Sequence, residues 1–251
     1  MRDYQAKIVE NKEIATGICS ITFDMGEEVQ VRAGQFGDIL VGGTHLLRRP
    51  IAVCKVEKNL VTYCYQVKGE GTQKLKKMEA GTTVSVLMPL GNGFFIDKDE
   101  KKVALVGGGV GVFPLISVLR EYKDEKQISA YIGYRNKGAV CGVDEFEKAD
   151  KFIAVTDDGS YGEKMNAVQA FEADLKKGNR PDVVLACGPT PMLRALKTLV
   201  EKEDLPCYVS LEERMGCGIG ACLVCVCNLT NGQHARVCKD GPVFNAKEVV
   251  L

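Results

Sequence analysis

The chain has 251 residues, with 45% hydrophobic and 26% charged side chains and 33 Lys plus Arg against 33 Asp plus Glu, a balance that excludes bulk disorder and leaves no net field to attract nucleic acid or an anionic membrane. Its longest apolar runs, such as 103–106 and 183–187, fall far short of the ~20 residues of a membrane helix, and the start Met-Arg-Asp-Tyr lacks the apolar core of a secretory signal. These features point to a cytoplasmic protein of more than one domain, in which the eleven cysteines read as thiolate ligands or buried thiols, not as a disulfide framework.

In chain order, short strands are predicted at 6–10, 14–23, 36–41, 51–57, 60–67 and 83–88, separated by turn signals such as Gly34, Gly42-Gly43, Lys58-Asn59 and Ala80-Gly81. This spacing predicts a small antiparallel β-barrel over residues 1–98. Pro89-Leu90-Gly91-Asn92-Gly93 breaks the pattern, and the charged run 98–101 reads as a solvated linker.

From 99 to 211 the rhythm becomes strand, turn, helix, with strands at 102–106, 128–134, 152–156, 183–187 and 208–211. One helix opens at Gly111 and runs to Tyr122. A second carries Met165, Val168, Phe171 and Leu175 on one face and stops at Gly178; a third repeats the period with Met192, Leu193, Leu196, Leu199 and Val200. Strands joined by helices predict an α/β doubly wound parallel sheet. Gly107, Gly108, Gly109 and Gly111 follow its first strand, where helix-terminal amides and close backbone approach suit a nucleotide phosphate. The run is not G-x-G-x-x-G, and an acidic residue ~20 positions later is not evident, so spacing leaves NAD and NADP open. Cys187 and Gly188 end the fourth strand on the same carboxyl edge, beside a nicotinamide or simply at a helix start with Pro189 and Pro191. Asp157-Asp158-Gly159-Ser160 is either a ribose contact or a turn.

Residues 212–251 form a third, cysteine-rich lobe that holds five of the eleven cysteines and almost no helical or strand period, so it needs a staple. Cys217, Cys222 and Cys225 give C-x4-C-x2-C, and Cys238 follows, the spacing of plant-type [2Fe-2S] ligation. Gly216, Gly218 and Gly220 let the loop wrap such a cluster. A structural zinc site would also use four thiolates but shows paired C-x2-C knuckles, and only Cys222 and Cys225 are so paired. Cys227 is a possible substitute for Cys225, which the x2 spacing favours. Cys19, Cys54, Cys64, Cys141, Cys187 and Cys207 sit mostly in strand-like runs and default to buried thiols. His45 and His234 read as loop residues.

With these residues in place, the chain resembles the ferredoxin reductase-like flavoproteins, and within them the electron-transfer subunits of type B dihydroorotate dehydrogenases. The resemblance covers essentially the whole chain: Gly34-Gln35-Phe36, Leu47 through Ile51, Gly69 through Thr72, Pro89 through Gly93, Gly107 through Gly111, Asp158 through Gly162, Cys187 through Leu193 and, most specifically, Glu212 through Cys222. It implies FAD held by Arg48, Arg49, Pro50 and Ile51, with an Arg fork on the pyrophosphate. It implies Tyr63, Cys64 and Tyr65 along the flavin or adenosine side, and Gly71 and Thr72 opening a short helix toward the phosphate. It also implies NAD as exchangeable substrate, no catalytic side chain, and an FMN-containing dihydroorotate dehydrogenase catalytic subunit as partner in a heterotetramer of two of each. Electrons then pass between NAD, FAD, the [2Fe-2S] cluster and the partner, in pyrimidine biosynthesis. One departure is visible: where the wider family has Arg-x-Tyr-Ser, Arg49 is followed by Pro50, Ile51 and Ala52, so a hydroxyl near flavin N5 is absent and a backbone amide would serve. Two other readings fit part of the pattern. One is a subunit of a ferredoxin-NADP oxidoreductase or sulfide dehydrogenase complex; the other is a zinc-stabilised nucleotide-binding regulator.

Overall fold

The computed structural model describes residues 1–43 and 46–251; His45, read above as a loop residue, lies outside them. Six strands, β1 (Arg2–Ala15), β2 (Ile18–Asp24), β3 (Phe36–Ile39), β4 (Arg49–Glu57), β5 (Leu60–Gln66) and β6 (Thr83–Leu90), close an antiparallel barrel in the order β1-β2-β5-β4-β3-β6. The predicted single strand at 14–23 is two: Gly17 has φ +70°, a conformation a hairpin turn needs and glycine supplies freely, and Ala15 pairs with Ile18 across it. Helix α1 (Glu70–Lys76) lies between β5 and β6 and plugs the barrel with Leu75, which is fully buried.

The second sheet has seven strands, ordered β10-β9-β8-β7-β11-β12-β15. These are β7 (Lys102–Gly108), β8 (Gln127–Tyr134), β9 (Lys151–Thr156), β10 (Glu163–Lys164), β11 (Val183–Cys187), β12 (Cys207–Ser210) and, antiparallel at the edge, β15 (Val243–Asn245). Helices α2 (Val112–Tyr122), α3 (Val143–Phe146), α4 (Ala167–Leu175) and α5 (Thr190–Lys202) connect them. The central strand β7 is buried from Val103 to Gly108 because both faces are covered, which is why it reads as a continuous apolar run and not an alternating one. The segment at 98–101 is mostly exposed, and its end is tied to the sheet domain where the Lys101 amide donates to Asp182 Oδ2 at 2.7 Å.

Beyond Glu212 the chain forms a two-stranded ribbon, β13 (Val226–Asn228) with β14 (His234–Arg236), before β15 joins the large sheet. These strands are three residues each, too short to show a period of two, which is why the sequence there carries almost none. His234 is likewise a strand residue, its Nδ1 2.9 Å from Asn228 Oδ1. Among the described residues, no helix is long and apolar enough to cross a membrane.

One buried ion pair ties α4 to the sheet. Asp174, with its side chain 3% exposed, accepts bonds from Lys151, Tyr131 and Asn179. Burial pushes its carboxyl up, but the three donors outweigh this and hold it below the ordinary value of 3.8. Asp174→Ala should cost about 2–3 kcal/mol, less than a fully buried pair because Lys151 is partly exposed. A pKa depressed on folding stabilises above the unfolded value and is lost as pH falls through the folded one. Urea unfolding of both proteins should therefore show the full gap at pH 7 and a shrinking gap below about pH 4.

Candidate functional site

A cleft runs between the barrel and the α/β sheet and holds about 1120 Å³ of empty space, its open mouth included. The barrel wall is Arg49, Pro50, Ile51 and Ala52 of β4 with Cys64 and Tyr65 of β5 and Thr72 of α1; the opposite wall is Val110, Gly111, Phe113, Pro114 and Cys187. The end of β12 and the segment after it, Ser210 to Glu213 and Met215, close the third side. An apolar slot with a few polar groups at its edges is what a large planar cofactor needs.

The polar end of the cleft lies at α1. The Arg49 guanidinium rests on the Cα of Gly71 so closely that any side chain there would displace it, and it bonds the Leu47 carbonyl at 2.6 Å. Thr72 Oγ1 accepts the amides of Lys68 and Gly69 at 3.0 and 3.1 Å, which fixes the start of the helix. A planar cation held over a helix's first turn can pair with a pyrophosphate.

Two of the expected flavin residues lie elsewhere. Arg48 points away from the cleft and bonds Ser85 Oγ at 2.8 Å and Asp3 at 2.9 Å, because it turns to the barrel's far side while its neighbour faces the cleft. Tyr63 is fully buried inside the barrel, its hydroxyl 3.1 Å from Met88 Sδ and its ring edge-on to Phe23. Strand alternation explains it: Tyr63 points in, so Cys64 points out.

On the nucleotide side, β7 passes through a short 3-10 turn at Gly109–Gly111 into α2. Gly107 and Gly108 serve packing: a Cβ on them would meet Leu115 at 2.8 Å and Met192 Sδ at 2.7 Å. At Gly111 a Cβ would lie 2.6 Å from the Cys187 backbone, so glycine there lets the two carboxyl-edge loops touch and brings Cys187 and Gly188 beside the turn. Burial pushes the Cys187 thiol up to about 12, against a bond to Ser210, so it stands in the cleft as a neutral group. Asp158 accepts both the amide and the hydroxyl of Ser160, at 2.9 and 2.6 Å, and builds a turn.

Two residues after Met215 the same segment enters the cysteine loop. Backbone amides tie the four thiols into two neighbouring sets, Cys217 with the Cys222 amide and Cys225 with the Cys238 amide. Among the described residues, no three His, Cys, Asp or Glu side chains converge as a finished metal cage. The donor set nonetheless suits a two-iron cluster, one thiol pair for each iron, with amides already turned to sulfur: Ala221 and Cys222 donate to Cys217 Sγ at 3.3 and 3.4 Å, and Cys238 donates to Cys225 Sγ at 3.4 Å. Burial opposes ionisation of Cys217, but the amides at Ile219, Cys222 and Ala221 prevail and hold it at about 6. Burial and the Cys225 thiol push Cys238 up to about 12, so metal must displace its proton. Cys227 sits on the ribbon opposite Ala235, packed into the apolar core.

Two residues that sequence reasoning passed over lie where this loop meets the barrel. Asn92 donates to the carbonyls of Asp240 and Val243 at 3.0 and 3.2 Å and accepts the Val243 amide at 3.1 Å, which docks the Cys238 loop on the end of β6. Its signal was the Pro-Leu-Gly-Asn-Gly break. Asp38 lies in β3 beneath Gly218; a charged residue within an apolar strand was the available sign.

Comparison with known proteins agrees with this architecture. The oxidoreductase NAD-binding domain matches residues 105–198, and the iron-sulfur cluster binding domain of dihydroorotate dehydrogenase B matches residues 212–250. The electron transfer subunit of dihydroorotate dehydrogenase B (NAD(+)) from Bacillus pumilus is 42% identical over 264 residues, covering 100% of this chain and 99% of that protein. That from Clostridium perfringens is 38% identical over 253 residues, covering 99% and 98%. The solved structure of an NADH-dependent reduced ferredoxin-NADP oxidoreductase superposes with TM-score 0.86 at 28% identity, over 98% of this chain and 89% of that one. With near-complete coverage at this identity, the chain belongs to the family of dihydroorotate dehydrogenase B electron transfer subunits.

Proposed function

We propose that this chain relays electrons between NAD and the FMN of a partner dihydroorotate dehydrogenase catalytic subunit, through FAD in the cleft and a [2Fe-2S] cluster on the cysteine loop, in the cytoplasm and in the service of pyrimidine biosynthesis. The observation that carries the reading is one continuous segment: Ser210 to Glu213 and Met215 wall the cleft and Cys217 follows two residues later, so a cofactor in the cleft and a metal on the loop would share a wall. FAD supplies a hydride acceptor that can pass electrons on singly, and the cluster supplies a one-electron carrier.

The protein's part is placement. Arg49 and the first turn of α1 hold the pyrophosphate; Pro50, Ile51, Ala52 and Cys64 bound the flavin's apolar side, and Pro114 and Phe113 exclude water opposite. Gly109 to Gly111, with Cys187 and Gly188, receive the dinucleotide. Cys217, Cys222, Cys225 and Cys238 ligate the irons. The working units are taken as 1–98 for FAD, 99–211 for NAD and 212–251 for the cluster, with β15 returning to brace the middle unit. Eleven unbridged cysteines suit a reducing compartment.

Beside the cluster loop, Ile219, Leu223 and Val224 are 43%, 63% and 55% exposed. An apolar group exposed beside a metal loop fits a docking face for the catalytic subunit. Co-expressed with that subunit, the chain should purify with it, carrying roughly two irons, two sulfides and one FAD per copy. Leu223→Asp should keep these cofactors and weaken capture of the partner by about 30-fold or more. Colourless protein loaded with zinc would defeat the relay. The likeness to the ferredoxin-NADP oxidoreductase supports one other reading, a subunit of such a complex, and a companion without FMN or dihydroorotate oxidation would select it.

A further inference from the structure

Asp38 has no part in the assignments above, yet it stands out among the described polar residues. It is 1% exposed, and its Oδ1 is the one buried side-chain nitrogen or oxygen among the described residues that lacks a hydrogen-bond partner. Native proteins rarely leave such an atom without a reason. Within β3, Gly37 and Ile39 face the barrel interior, so Phe36 and Asp38 face outward, toward the C-terminal lobe. There the carboxylate meets the cysteine loop. A Cβ at Gly218 would lie 2.7 Å from Asp38 Oδ2, and Gly218, at φ +68°, directly follows Cys217.

We propose that Asp38 sets the reduction potential of the iron-sulfur group from beneath the loop, holding it more negative than a neutral residue at this place would. The inference rests on the reading of Cys217, Cys222, Cys225 and Cys238 as cluster ligands. Its physical basis is an unneutralised charge. The nearby cations are Arg48 and Arg49, and neither pairs with the carboxylate: Arg48 bonds the Asp38 main-chain carbonyl, Ser85 and Asp3, and Arg49 bonds the carbonyls of Leu47 and Arg48. Burial pushes the carboxyl up to about 6 and the two guanidiniums only partly offset this, so the test below is run at pH 8, where the carboxyl is ionised. In a poorly solvated interface, a carboxylate one residue from a ligand repels each electron delivered to that ligand's metal, and little water is present to screen it. The one-electron reduction adds a negative charge, and where the carboxyl stays ionised the repulsion appears directly in the equilibrium.

The test is potentiometry of the purified holoprotein followed by its electron paramagnetic resonance signal, comparing wild type with the near-isosteric Asp38→Asn. The variant should retain iron, sulfide and FAD while its cluster becomes about tenfold easier to reduce at a given potential, a rise of about 59 mV for a one-electron couple. Asp38→Ser, which also lacks the charge, should shift the same way. Unchanged midpoints in variants with full iron content overturn the proposal and leave the relay standing. Loss of iron from both variants also overturns it, making Asp38 a latch for the loop and no more. Wild type with iron but no reducible [2Fe-2S] signal removes both the proposal and the relay beneath it.

Discussion

Cys225→Ser should purify with little iron or sulfide and deliver no electrons to the companion subunit, whereas Cys227→Ser should keep both. The two cysteines are two residues apart, and spacing alone only favours Cys225 as ligand. Their surroundings differ. Cys225 is 2% exposed and accepts the Cys238 amide on its sulfur at 3.4 Å. Cys227 lies on the ribbon, opposite Ala235, where burial pushes its thiol up and no cysteine faces it as a partner. A serine at 225 offers a harder, less readily ionised oxygen in a buried position, and an iron with only one remaining thiolate from its pair is not retained. Iron and sulfide assay, visible absorption and reduction of the partner's FMN by NADH are the three readouts. FAD content is the internal control, because the cleft proposed for FAD takes no side chain from 225. Full iron in the Cys225 variant together with loss in the Cys227 variant would exchange the two roles.

The parts of this molecule that are local in sequence could be read from it, and the parts made by distant contact could not. The barrel strands announced themselves by alternation and turn residues, and β7 by its unbroken apolar run. The cysteine loop stood out because its C-x4-C-x2-C pattern lies within nine consecutive residues. The failures share another origin. Arg48 and Arg49 are adjacent and chemically identical, and only the path of β4 decides which one reaches the cleft. Tyr63 was open to correction by strand parity once Cys64 was placed on the cleft, since neighbours on a strand face opposite ways. β15 could not be seen in advance: three residues pair with β12 more than thirty positions earlier, Phe244 against Val209, and nothing in Val-Phe-Asn carries that information. The meeting of Asp38 with Gly218 is of the same kind, joining residues 180 positions apart through the barrel wall.

Arg49→Ala should weaken FAD binding by about 2–3 kcal/mol, roughly 30- to 150-fold in Kd, while Arg48→Ala should leave it nearly unchanged. The argument is geometric. Arg49 lines the cleft and lies flat against Gly71, where a Cβ would displace it, so its fork is held over the first turn of α1 before any ligand arrives. A cation ordered in advance gives up little side-chain freedom on pairing with phosphate, and removing it leaves the pyrophosphate's charge to the amides of one short helix. Arg48 spends its fork on Ser85 and Asp3 across the barrel. Its loss should appear as a small stability change, at most about 1 kcal/mol for so exposed a partner as Asp3. Arg49→Lys divides charge from shape: an ammonium keeps the attraction but not the bidentate fork, so its affinity should fall between wild type and alanine. Gly71→Ala supplies an independent check, since it leaves Arg49 in the chain and moves it off the helix; FAD retention should drop toward the Arg49→Ala level. Fluorescence titration of the deflavinated chain with FAD would measure all four. Equal losses from Arg48→Ala and Arg49→Ala would mean that the cleft is not where the pyrophosphate sits.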